Sequence, residues 1–171
     1  MSVIIQGSGG VTTNSGAVYD GISRGTSVTA SGTSVDFTSI PSWVKRITVV
    51  FNAVGTNGTS IPLIQIGDSG GIENTGYIAA IADATGISGL YTAGVPLNFS
   101  TAAADVFSGT VTLINITSDT WIFSTVTMRH APSPYHGNGN KTLSATLDRV
   151  RITTVNGTDA FDAGSINILY E

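Results

Sequence analysis

Gly67-Asp68-Ser69-Gly70-Gly71 sets a serine between an acid and two glycines, a local pattern able to carry nucleophilic acyl transfer. A serine hydroxyl attacks only after a base has removed its proton, and serine proteases with this string place the required histidine earlier in the chain. No histidine precedes Ser69; the two present, His130 and His136, both lie downstream. The stretch ahead of Ser69 is also too short to supply the first barrel such proteases need. The expectation is a Gly-rich turn at a strand end, with Asp68 accepting from nearby backbone N–H groups.

Asp159 and Asp162, in NGTDAFDAGS, offer carboxylate oxygens of the kind that hold calcium. Calcium takes about 6–8 oxygen ligands, so two carboxylates with no third nearby read as solvated turn residues, and no metal is expected. Paired-carboxylate glycosidase chemistry needs two acids facing each other across a bound sugar. The eleven acidic residues allow many pairs and single out none.

The segment HAPSPYHGNGNKT reads as a long polar loop carrying His130, Tyr135, His136, Asn138 and Asn140. Loops at the end of a sandwich carry binding groups, aromatic rings stack on sugar faces, and Asn and His supply hydrogen bonds. These five residues form the candidate binding set; the competing reading is a surface loop with a tucked tyrosine. Two histidines with no cysteine and no neighbouring acid do not complete a zinc ligand set. Trp43 and Trp121 flank strong apolar strands and are expected in the core or a subunit seam.

Positioning these groups falls to strands. Charged residues are 11 % of the chain, against about 25 % for a typical soluble domain. The chain instead holds 24 Thr, 19 Ser and 21 Gly, with two Lys and two Gln, a composition that favours pleated sheets and tight turns over helices. The net charge of −4 and scattered basic residues give no footprint for a phosphate backbone, so nucleic acid is not an expected partner. Cysteine is absent, which removes disulfides and thiolate chemistry. With no basic-then-apolar leader and no run near the ~18 apolar residues of a membrane span, the protein is expected to be soluble and made in a cytoplasm, without inserting into membrane.

The clearest strand runs through Arg46–Val54, where Ile47, Val49, Phe51 and Ala53 share one parity. It is expected inside an antiparallel sheet beside a late strand, either 149–155 or 165–170. Further strands are expected at 28–38, at 63–67, across a hairpin 106–116/121–129, and at 142–155. Residues 77–84 are read as a strand or a short helical turn, because alanines favour helix and the following glycines break it. Leu147, Val150, Ile152, Ile166, Ile168 and Tyr170 are read as core-facing. Nine to eleven short strands with regular turn signals indicate an all-β, antiparallel β-sandwich of jelly-roll type.

Three blocks, GTSVDFTSIPSWVKRITVVF (Gly32–Phe51), LIQIGDSGG (Leu63–Gly71) and LDRVRITTVNGTDAFDAGSINILYE (Leu147–Glu171), resemble a family of bacteriophage and prophage tail or tail-fibre proteins. The resemblance implies an exposed β-sandwich module of the virion, associated with host-surface recognition and assembled as a homo-oligomer, a trimer by analogy with fibres. It supplies no catalytic residues. Residues 1–30 would then be an arm that docks on a sheet edge or a neighbouring subunit, and 31–171 the sandwich domain. The reading is a non-enzymatic structural module without cofactor, whose partners are itself, other virion proteins and a host-surface polysaccharide. The alternatives are a capsid or baseplate decoration protein and a glycan-degrading tailspike-type enzyme.

Overall fold

The computed structural model describes residues 4–5, 11–12, 18–19, 21–87, 89–98, 102–129 and 133–171. Its strands, in chain order, begin with β1 (Ile4–Ile5), β2 (Val11–Thr12), β3 (Val18–Tyr19), β4 (Ser23–Arg24), β5 (Val28–Thr29) and β6 (Val35–Phe37). They continue with β7 (Arg46–Thr56), β8 (Pro62–Asp68), β9 (Gly71–Glu73), β10 (Ile78–Asp83), β11 (Gly86–Ile87) and β12 (Val95–Pro96). The last five are β13 (Val106–Asn115), β14 (Thr120–Arg129), β15 (Ser133–Thr142), β16 (Arg149–Thr154) and β17 (Phe161–Tyr170). No helix occurs among the described residues.

A nine-stranded sheet runs β11-β10-β15-β14-β13-β7-β17-β4, with β5 also on β17. A five-stranded sheet runs β12-β8-β16-β6, with β9 also on β8, while β1-β2-β3 pair among themselves. The ladders of both large sheets are antiparallel. Apolar side chains of the two sheets share one core: Ile47, Val49, Phe51, Leu113 and Phe123 from the larger, Ile64, Ile66, Val150 and Ile152 from the smaller. This is the all-β antiparallel sandwich expected from the composition.

Strand β7 lies inside the large sheet, between β13 and β17, so of its two candidate partners the C-terminal strand is the real one. Residues 149–154 pair instead with β8 and β6 in the other sheet. The inward alternation Ile47, Val49, Phe51 holds as read and then breaks. Ala53 has φ 51° and is exposed, while Val54 is fully buried. The left-handed residue adds one position to the strand and switches its inward parity. Its neighbours carry matching register shifts, at Phe107/Gly109 in β13 and around Ala163 in β17.

One open reading is decided and one expectation is corrected. Of the strand and the short helical turn read for residues 77–84, the strand is the one formed, as β10: Ala79 and Ile81 point inward while the backbone pairs with β15, so sheet pairing overrides alanine's helix propensity. The supposed polar loop is largely strand β15, which lies between β14 and β10. Its glycines mark close packing instead of turns: a Cβ at Gly139 would lie 2.7 Å from the Ala79 Cβ, and one at Gly137 3.0 Å from the Ala80 carbonyl oxygen.

Leu147, Val150, Ile152, Ile166 and Ile168 are buried as read, and Tyr170 packs at the core margin. Trp121 is buried whereas Trp43 is 57 % exposed, which removes Trp43 from the core.

Candidate functional site

The GDSGG segment is the β8–β9 turn, as its glycines imply. The Gly70 N–H donates to Asp68 Oδ1 at 2.7 Å, and the Ser144 hydroxyl donates to Asp68 Oδ2 at 2.7 Å. Those two bonds, the Ser144 one foremost, hold the Asp68 carboxyl below its ordinary range. The Ser144 hydroxyl and backbone N–H also reach Glu73 Oε1, at 2.8 and 2.7 Å. Glu73 is in turn paired with Lys141, whose ammonium lies 5.7 Å above the Tyr77 ring. Burial works to raise the Glu73 pKa, but Lys141 and Ser144 outweigh it and the net shift is downward. This cluster staples the chain after β15 onto the β8–β9 hairpin. The histidine placed by the structure, His136, sits on β15 in the other sheet, so no described base faces Ser69.

Asp159 also organises a turn. Its carboxylate accepts from Asn156 Nδ2 at 2.7 Å and from the Ser60 N–H at 2.8 Å, bonds that lower its pKa, the Asn156 one foremost. Asp162 lies exposed on β17, and among the described residues no group of three His, Asp or Glu could hold a metal ion.

Of the five candidate binding residues, His130 lies outside the described residues. Tyr135 is fully buried on the inward side of β15. His136, Asn138 and Asn140 alternate on the opposite side and reach the outer face of the large sheet together. Cross-strand pairing places Ile114, Ile122, Asn140 and Ile78 in one outward row. The adjoining rows are Thr112, Ser124, Asn138, Ala80 and then Thr110, Val126, His136, Ala82, with Ser108, Met128 and Pro134 beyond. From β10 to β13 no outward position holds Asp, Glu, Lys or Arg. Ile78 is 60 % exposed, Val126 50 % and Met128 53 %. Ile122, Val126 and Met128 share one parity of β14, and it is the solvent side; Trp121 and Phe123 supply the core.

The outer face of the small sheet is its opposite in character. Asp36, Arg151 and Gln65 form one cross-strand row there, flanked by Thr153 and Leu63. Arg151 donates in a fork to Asp36, Nε to Oδ1 at 2.7 Å and Nη2 to Oδ2 at 2.6 Å. Burial opposes the charged form of Arg151, yet the bond to Asp36 dominates and raises its pKa. Arg151 and Gln65, with Thr153 and Leu63 beside them, line a groove of about 360 Å³. Neither the face nor the groove was legible in sequence, because Asp36 and Arg151 meet only through strand pairing.

No protein-family model, no curated protein and no solved structure matches this chain.

Proposed function

We propose that this chain is a non-enzymatic structural module of a bacteriophage tail, exposed on the virion, assembled as a homotrimer and contributing to contact with the host surface. The observation that carries the reading is the uncharged outer face of β10, β15, β14 and β13. The exposed Ile78, Ile122, Val126 and Met128 stand there among hydroxyl and amide side chains, a mixture that suits a subunit contact. Its occupant is a second copy of the chain, on electrostatic grounds. Copies of net charge −4 repel one another, and a face without Asp, Glu, Lys or Arg is where they meet at least cost, since none of those charges is desolvated.

Two further points support the reading. The three sequence blocks resemble phage tail proteins, whose modules are homo-oligomeric. Asp36, Asp68, Glu73, Asp105, Asp148 and Asp159 each bond a cation or a backbone amide of the fold, which is structural work.

Light scattering combined with size exclusion tests the assembly: three times 17.5 kDa is expected, and a monomer at tens of micromolar overturns it. Immunogold labelling of particles tests the location, with gold on the tail expected and gold confined to the head contradicting it.

A further inference from the structure

We infer that the groove on the outer face of the small sheet binds a neutral saccharide. It is lined by Thr33, Gln65, Asn74, Arg151 and Thr153, with Leu63 at its floor. Its volume of about 360 Å³ lies within the usual range for small-ligand sites. The ligand class follows from how these groups are used.

Gln65 is 7 % exposed and donates from Nε2 to the Ala93 carbonyl at 2.7 Å, which fixes its planar amide in the wall. Thr153 donates to the Thr33 carbonyl at 3.0 Å, tying the strand to the opposite rim. Arg151 lines the groove, and its fork to Asp36 uses Nε and Nη2, which leaves Nη1 to donate to a ligand. The Arg151 donor and the Gln65 amide oxygen line the same groove, a pairing that sugar hydroxyls accept from and donate to. Asn74 is exposed at the groove and makes no hydrogen bond within the described structure.

The charges cancel within the pair, so the groove has no spare cation for a phosphate or a carboxylate, and the described chain has no helix terminus to substitute for one. Ile72 and Val155, the latter 55 % exposed, offer apolar contact for the C–H faces of a sugar ring. An uncharged ligand rich in hydroxyls fits this combination; an anionic one does not. The inference rests on the phage-module reading for the source of the sugar, the host surface, and on the groove alone for its chemistry.

The test is a printed array of neutral hexose and N-acetylhexosamine oligosaccharides, with sialylated and phosphorylated glycans beside them. Wild-type protein is expected to bind one or more neutral oligosaccharides. Asn74→Ala is expected to weaken that binding about fivefold, the worth of one hydrogen bond. Asn74→Trp, which fills the groove from an exposed position, is expected to abolish it with the melting temperature unchanged. No binding by the wild type, a preference for the anionic glycans, or undiminished binding by Asn74→Trp overturns the inference. Scattering on the same sample separates the two readings: a monomer that binds supports the groove and sinks the assembly, and a trimer that binds nothing does the reverse.

Discussion

A Cβ placed on Gly164 would lie 2.3 Å from the carbonyl oxygen of Ala53, across the pairing of β17 with β7. Both residues have left-handed backbones, φ 85° and 51°. The bulges of the two strands thus face each other, and on the other side of β7 the regular strand β13 supplies the Ser108 hydroxyl, which accepts the Ala53 N–H at 2.9 Å. The strand switches parity here without leaving that amide unpaired.

Gly164→Ala is therefore expected to cost about 3 kcal/mol, from backbone overlap and a disfavoured φ together. Ala53→Gly runs the other way: relief of about 1–2 kcal/mol of left-handed strain exceeds the 0.5–1 kcal/mol entropic cost of glycine, a net gain of roughly 0.5–1 kcal/mol. Urea unfolding of both variants checks this, and equal effects of the same sign would refute it.

Tyr77 is buried, and its hydroxyl accepts the Ile66 N–H at 2.7 Å while donating to the Glu73 carbonyl at 2.9 Å. Tyr77→Phe leaves a buried amide of β8 unpaired and is expected to lower stability by about 1–3 kcal/mol. The readout is the shift of the denaturant midpoint at unchanged slope.

Stability should be level across neutral pH and fall at both extremes. Asp68, Glu73 and Asp159 are held below their ordinary values of 3.8, 4.5 and 3.8, so their contribution is present above those values and is lost as pH falls through the lower folded ones. Burial pushes the Tyr77 and Tyr170 hydroxyls above 10.0, so their contribution is present below that pH and is lost as pH rises past it. Glu73→Gln strands the buried Lys141 and is expected to lower the plateau by about 2 kcal/mol while making the acid limb shallower. Unfolding free energy measured from pH 2 to 11 tests the signs; a slope through neutrality contradicts them.

Val126→Glu puts a carboxylate into the middle of the uncharged face, on a side chain already 50 % exposed. The expected result is a folded monomer of about 17.5 kDa with the wild-type circular-dichroism spectrum. An unchanged oligomer would place the interface elsewhere.

Gly139→Ala tests β15 as a packed strand, because the added methyl meets the Ala79 Cβ at 2.7 Å. A loss of about 1–3 kcal/mol is expected, recovered in part by Ala79→Gly. A residue in a free loop would show neither effect.

The amino-acid sequence by itself determined the class of this protein and much of its local detail. Few charges and many threonines and glycines leave sheets as the way to bury its apolar side chains, and alternation in β7 and β8 marks two unlike faces. The Asp68 turn and the Asn156–Asp159 turn are local, formed within a few residues, and so were legible. Tertiary structure alone decided which face is which. In β14 both parities are apolar, Trp121 and Phe123 against Ile122, Val126 and Met128, and only the second sheet covering one side breaks the tie. The same holds for residues 133–142, where glycine serves equally for a turn and for close approach, and the presence of β10 selects the latter. Asp36 and Arg151 are far apart in the chain and become one forked pair only through the register of β6 on β16. Alternation is a local property, whereas burial depends on what arrives from elsewhere.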